Sequence, residues 1–173
     1  MARQWTRDEV LQLARSFQPA CVITAAADLN VFSALSGQPM TATDLAGELK
    51  ADSRAMAVLL DALVAMELLD KSGTQYRVPP DVAEALTERG GDSVLPMVRH
   101  NANCLRRWVQ LARVVKSGRP AERESSIRGK AADQESFIGG MHNVFMQGGE
   151  GVVSELIPLS FGHLLDVGGA SGS

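Results

Sequence analysis

This sequence is short of the features that narrow a function quickly. Cys21 and Cys104 are its only cysteines, each inside an apolar, helix-like stretch. No CxxC and no clustered Cys/His pattern offers a metal site. Both cysteines therefore read as small buried hydrophobes, and the setting as reducing and cytoplasmic. No stretch of 18 or more predominantly apolar residues runs without a charge or a breaker, so no membrane span is expected. The start, MARQWTRDEV, lacks the continuous apolar run of a signal peptide. Positive charge is not in excess either. A net charge of −3 over 173 residues argues against a protein built to neutralise nucleic-acid phosphate. Charged residues, at 21%, are too few and too well interspersed for a disordered chain.

What is present is apolar helix. Apolar residues make up 45% of the chain, enough for a substantial core. Thr6 with Glu9 has the spacing of a capping box, and Val10, Leu11, Leu13, Ala14 and Phe17 follow at helical intervals until Pro19 interrupts. A second run is expected over 20–35, ending at Ser36-Gly37-Gln38-Pro39. Thr41 can cap a short helix bearing Leu45, Ala46 and Leu49. Ala51-Asp52-Ser53 breaks that helix and can cap the next, over 54–68, which is apolar around much of its circumference and should be largely buried. Residues 68–71 and 76–78 are strand candidates around the tip Ser72-Gly73-Thr74-Gln75. Asp81 can cap a short helix running to Leu86.

Two short helices, a buried one and a hairpin follow the order of a winged helix-turn-helix. DNA binding is the usual role of that fold, and the residues argue against it. The would-be recognition helix has Arg54 as its one cation, carries Asp61 and Glu67, and offers no Asn or Gln for base edges. The wing adds only Lys71 and Arg77.

Beyond the polar break Glu88–Ser93 a long helix is expected, from Val94 or Pro96 to about Lys116. Its Arg99, Arg106, Arg107 and Arg113 read as a solvated face. The polar stretch 121–134 reads as a surface loop. Helical pattern resumes at SFIGGMHNVFMQ, capped by Ser136 or Asp133, with Phe137, Met141 and Phe145 at i, i+4, i+8. Gly139 and Gly140 inside it cost about 1 kcal/mol each relative to Ala, which implies close approach by another helix or a ligand. A last helix, from Glu150 to about Ile157, ends at Pro158. Leu164–Val167 then forms a short apolar run with an acid inside it, followed by Gly168-Gly169-Ala170-Ser171-Gly172. A strand leading into a glycine turn is the first half of a nucleotide-type site, because the turn lets backbone approach a ligand.

In this order, the features resemble the small-molecule O-methyltransferases that use S-adenosylmethionine and carry an N-terminal winged-helix dimerisation domain. TATDLAGELKADSRAMAVLLDALVAMELL matches that family's helical segment, KSGTQYRV its wing, and VKSGRPA the end of its long helix. Phe137 and Met141 match an F-x-x-x-M helix lining the acceptor pocket. LLDVGGASG matches the first cofactor motif, D-x-G-G-G-x-G. The resemblance spans nearly all of the chain. It departs at Ala170, where the family has its third glycine, and at Val58 and Glu67, which replace the commoner Arg and Gly.

The resemblance implies a mostly α chain with three parts. These are a winged-helix dimerisation domain over 1–90 with a small β-hairpin wing, a helical linker with acceptor-pocket helices over 91–160, and over 161–173 the stub of a Rossmann-like α/β domain. It implies a homodimer that takes a small, aromatic acceptor and transfers methyl to its hydroxyl. Asp166, Gly168, Gly169 and Gly172 would contact S-adenosylmethionine, and Phe137, Met141, His142 and Phe145 would wall the acceptor. Plain core packing remains open for Phe137 and Met141, and an exposed or structural role for His142. No catalytic residue is expected within 1–173, since the family's general base lies in the part of the α/β domain beyond it. The chain is therefore expected to be a truncated enzyme that by itself binds cofactor weakly or not at all. The alternatives are a winged-helix DNA-binding regulator and the non-catalytic half of a split enzyme.

Overall fold

The computed structural model describes residues 3–90, 92–158, 160, 162–163, 165 and 167–169. The chain divides into two compact units, Met1–Gly91 and Asp92–Ser173.

The first unit opens with α1 (Arg7–Arg15). The capping box forms as expected. The Thr6 hydroxyl accepts from the Glu9 amide at 3.3 Å, and the Glu9 carboxylate accepts from the Thr6 amide at 2.8 Å. α2 (Phe17–Asp28) takes Pro19 into its first turn, where a missing N–H costs nothing. The run expected over 20–35 is not one helix. Asn30 adopts the left-handed conformation, φ 63°, and separates α2 from α3 (Val31–Leu35). Asn tolerates this conformation better than most side chains. The reversal lets Val31, Phe32 and Leu35 all reach the core.

Thr41 caps α4 (Ala42–Leu49), accepting from the Asp44 amide at 3.2 Å. Asp52 caps α5 (Ser53–Ala65), accepting from the Ala55 amide at 2.8 Å. α5 stops short of Leu68 because Glu67 turns left-handed, φ 60°. This is the position where the resembled family commonly has Gly, the residue that adopts that conformation without a Cβ penalty. Leu45, Ala46, Met56, Leu60 and Leu63 of α4 and α5 are buried together, with Leu69 behind them. Each fully buried Leu contributes about 1.5–3 kcal/mol of transfer free energy.

The wing is a three-stranded antiparallel sheet in the order β1-β3-β2, made of β1 (Met40–Thr41), β2 (Asp70–Ser72) and β3 (Gln75–Arg77). The hairpin pairs Asp70 with Arg77, Lys71 with Tyr76 and Ser72 with Gln75. Strand β1 is the part that periodicity misses, because two residues before a helix cap carry no alternation to read. Tyr76 is buried, and its hydroxyl donates to Asp61 of α5 at 2.8 Å. Lys71 donates to the same carboxylate oxygen at 2.6 Å, and its ammonium lies 4.8 Å from the Tyr76 ring centre. These donors, Lys71 first and Tyr76 second, hold the Asp61 carboxyl below its ordinary value. Both wing cations are thus ion-paired, Lys71 with Asp61 and Arg77 with Asp70, leaving the wing poorly suited to phosphate. In α6 (Pro80–Leu86), Asp81 sits in the first turn and is not the cap. That place belongs to Pro79.

The second unit is built on α7 (Leu95–Trp108) and α9 (Lys130–Met146), with α8 (Leu111–Ser117) and α10 (Gly149–Leu156). The single long helix expected up to Lys116 is broken at Val109-Gln110. The Gln110 side chain donates to the Arg106 carbonyl at 3.0 Å, and its backbone N–H bonds one residue short, to Arg107, at 3.1 Å. α8 ends as expected at Gly118, φ 66°. Among the described residues, no helix is long and apolar enough to cross a membrane.

Candidate functional site

Helix α9 begins earlier than its sequence pattern shows, at Lys130 rather than near Ser136, and Gly129 stands at its N-cap position. Asp133 does not cap it. Its carboxylate accepts from both the backbone N–H, at 2.9 Å, and the hydroxyl of Ser126. Burial raises the Asp133 carboxyl, but the two Ser126 donors, with Arg106 and Arg128 nearby, outweigh it and hold the group below its ordinary value. Arg128 donates to the Ser136 hydroxyl and to the Ala132 carbonyl. Further back, the Gln110 amide pairs with the Glu122 backbone in both directions, at 3.0 and 3.1 Å. The stretch expected to be a plain surface loop is therefore a strap fastened at both ends. Isolated polar residues such as Gln110 give no periodic signal that would reveal it.

Gly139 and Gly140 are there for α7. A Cβ on Gly139 would lie 2.8 Å from the Pro96 Cβ, and one on Gly140 would lie 3.3 Å from the Met97 Cα. Of the two explanations open from sequence, the close neighbour is a helix. Asn143 adds a hydrogen bond to the Ser93 carbonyl at 2.9 Å. Ser136 and Gly140 form the buried face of α9.

The four residues expected to wall the acceptor all lie on this helix. Phe137, Met141 and Phe145 share a stripe beside the buried face, and His142 lies further round. Phe137 is 46% exposed. Its ring meets His100 of α7, with centroids 5.2 Å apart and planes at 57°. Met141 is likewise exposed, while Phe145 lies against Gly149, where a Cβ would come within 2.4 Å of the ring. Phe145, Met146, Gly149, Val153 and Ser154 line a cleft of about 290 Å³. The helix thus presents an apolar stripe open at Phe137 and Met141, with Phe145 against Gly149.

His100 escaped the sequence reading. Its imidazole Nε2 lies 3.5 Å from the Cys104 thiol, one turn along α7. Loss of solvent and then the charge of Arg107 push its pKa below the ordinary value. The i, i+4 spacing of His100 and Cys104 was available as a signal, but two polarizable residues on a mixed helix face do not stand out. Neither cysteine is fully buried, which differs from the expectation for both.

Of the expected cofactor residues, Asp166 and Gly172 lie outside the described residues, as does Leu164 of the expected strand. Gly168 adopts φ 86°, with nothing within 4 Å of where a Cβ would be. A side chain rarely adopts that conformation, and the open space fits a turn that lets backbone approach a ligand. Leu165 and Val167 are 84% and 86% exposed, and no described residue beyond Ser160 is in a strand. No group of three His, Cys, Asp or Glu side chains among the described residues is placed to hold a metal.

Residues 11–89 match the family model of the O-methyltransferase dimerisation domain. Over those residues the chain is similar to an O-methyltransferase dimerisation domain. Its curated relatives include the tetracenomycin polyketide synthesis 8-O-methyl transferase TcmO of Streptomyces glaucescens, 27% identical over 95% of this chain and 50% of the relative. They also include the N,N-dimethyltransferase OxyT of Streptomyces rimosus, 30% identical over 63% of this chain and 32% of the relative. The chain thus spans about half the length of the first and about a third of the second. Among solved structures, human N-acetylserotonin methyltransferase, determined in complex with S-adenosylmethionine, shares the fold. It has a TM-score of 0.64 at 23% identity, over 89% of this chain and 50% of that one. With the wing's cations paired, nothing favours the DNA-binding alternative.

Proposed function

We propose that this chain is the dimerisation and acceptor-lid part of an S-adenosylmethionine-dependent methyltransferase that methylates a hydroxyl of a small aromatic molecule. The observation that carries the reading is the match of residues 11–89 to the dimerisation domain, joined to an apolar helix face with nothing on it. α1 buries none of its residues, and its Val10 and Leu13, with Phe17 at the start of α2, are each about half exposed or more. An amphipathic helix with its apolar side open calls for a partner surface, and a second copy offers the matching one. Both cysteines stay free, which fits a cytoplasmic enzyme.

Asp166, Gly168, Gly169 and Gly172 would hold the amino-acid end of the cofactor. When bound, S-adenosylmethionine supplies the electrophilic methyl group. The work assigned to this chain's own residues is positioning. Phe137 and Met141 would hold the acceptor ring by apolar contact, with Phe145 and His142 at the flank, and together they would keep water from the transferring methyl. No residue of 1–173 is proposed as the general base.

Sedimentation of the 173-residue polypeptide at tens of micromolar tests the dimer. A dimer is expected, and dissociation to monomer in Leu13→Asp. A monomer at every concentration would overturn it. The same polypeptide is expected to bind S-adenosylhomocysteine weakly or not at all and to transfer no methyl, because the described residues around the glycine turn have no core beneath them. Micromolar binding in a calorimeter would contradict that part.

A further inference from the structure

Phe137 does not stand by itself on the open stripe of α9. Its ring meets His100 of α7 in a tilted contact, and nearly half of its surface remains exposed. The two helices are held at this spacing by the Gly139 and Gly140 contacts, so the pair of rings has a fixed platform. His100 is a titratable side chain in ring contact with the expected acceptor wall. Its Nε2 is taken up by the Cys104 thiol at 3.5 Å. Nδ1 has no hydrogen-bond partner among the described residues, and the side chain is only partly buried. Loss of solvent and the neighbouring Arg107 favour the uncharged ring. A neutral imidazole has one donor and one acceptor nitrogen. Whichever way the proton lies between Nε2 and the thiol, Nδ1 is left as one unspent hydrogen-bonding position beside an exposed aromatic ring. An apolar wall with a few placed polar groups is how sites for small aromatic ligands fix orientation.

We propose that His100 is a specificity-determining residue of the acceptor site, its Nδ1 pairing with an oxygen substituent of a flat aromatic acceptor stacked on Phe137. This rests on the reading of α9 as the acceptor wall. It makes the site select for ring compounds bearing a hydroxyl near the edge that lies over His100. It assigns His100 no proton transfer. The residue positions the ring, and the i, i+4 contact with Cys104 positions the imidazole.

The test uses the 173-residue chain with two probes, 1-naphthol and 1-methylnaphthalene, which share a ring system and differ in the hydroxyl. Binding is followed by the Phe137 ring-proton shifts and the imidazole ¹⁵N shifts of His100. In the wild type, 1-naphthol is expected to move both sets of signals, and 1-methylnaphthalene only the Phe137 set. His100→Phe keeps an aromatic ring but loses the hydrogen bond. It should weaken 1-naphthol about threefold to tenfold, the loss of one net hydrogen bond, and leave 1-methylnaphthalene unchanged. His100→Gln, which restores a donor and an acceptor, should recover most of the difference, and thermal melts of both variants check that the helix pair is intact. Equal 1-naphthol binding by wild type and His100→Phe would overturn the proposal, as would an equal loss for both probes, which would make the role mere packing. If neither probe moves the Phe137 signals of the wild type, the acceptor-wall reading itself fails and this proposal with it, a result distinct from the other two.

Discussion

The two units of this chain are stabilised in different ways. Met1–Gly91 builds a closed apolar core, although Val10, Leu13, Phe17 and Val58 stay open. Phe32, Leu45, Leu60 and Leu63 are almost without exposure, and the polar groups are spent on caps and on the wing. In Asp92–Ser173 the fully buried apolar residues among those described are Leu95 and Ala102, while Trp108, Val115, Phe137 and Ile157 are open. What holds this second unit is glycine-to-helix contact and polar clamps, the Gln110–Glu122 pair and the Asp133–Ser126 pair. A helix pair held by close backbone approach and hydrogen bonds keeps its apolar surface available.

Substitutions sharpen this contrast. The largest effect belongs to the first unit. Leu60→Ala removes a fully buried side chain of α5 and should cost about 2–5 kcal/mol in denaturant unfolding. Phe137→Ala, the removal of a larger but half-exposed ring, should cost well below that. Equal losses would erase the distinction. Next comes a pair of glycine substitutions. Gly139→Val drives a side chain into Pro96 and should destabilise by about 1–3 kcal/mol, whereas Gly47→Ala on α4 meets nothing within 4 Å and should stabilise by about 0.5–1 kcal/mol. The glycines of α9 are thus structural and that of α4 is not. Of the same order as the Gly47 change, Glu67→Gly relieves a left-handed conformation and should stabilise by about 1 kcal/mol or slightly less, read from the shift of the chemical melt.

The smallest effect is electrostatic. Asp61 is held below its ordinary carboxyl value by Lys71 and Tyr76. A carboxyl whose folded pKa is depressed contributes stability that is present above its unfolded value and lost as pH falls through the folded one. Asp61→Asn should therefore melt below the wild type at neutral pH, and the gap should narrow as pH drops below 3.8, the group's ordinary value. A gap that stays constant through that range would show the contact to be steric rather than ionic.

How much could be read in advance follows the same division. Thr6, Thr41 and Asp52 each occupy a cap the sequence offered, and α4, α5 and a hairpin are all present, because a buried core is written into the pattern; the bounds shift, with α5 ending at Ala65 and Ser72 and Gln75 of the expected tip paired within the strands. The breaks at Asn30 and Gln110 were not legible. Each is a single residue inside an unbroken apolar rhythm, and its effect depends on a backbone conformation or a side-chain hydrogen bond that periodicity does not encode. Glu67 was half legible, since a Gly in the resembled family at that position already hints at a left-handed turn. At the candidate site, the stripe of Phe137 and Met141 was visible from spacing. His100 was not, because it reaches that stripe from another helix, through a crossing that only the packing of Gly139 and Gly140 defines.

Native-state hydrogen exchange across a denaturant series tests the contrast most directly. Amides of α5, around Leu60 and Leu63, are expected to exchange only through global unfolding of their unit. Amides of α9, around Phe137 to Phe145, should open at lower denaturant, in a separate and smaller step. Protection of α9 equal to that of α5, lost in the same transition, would contradict the account.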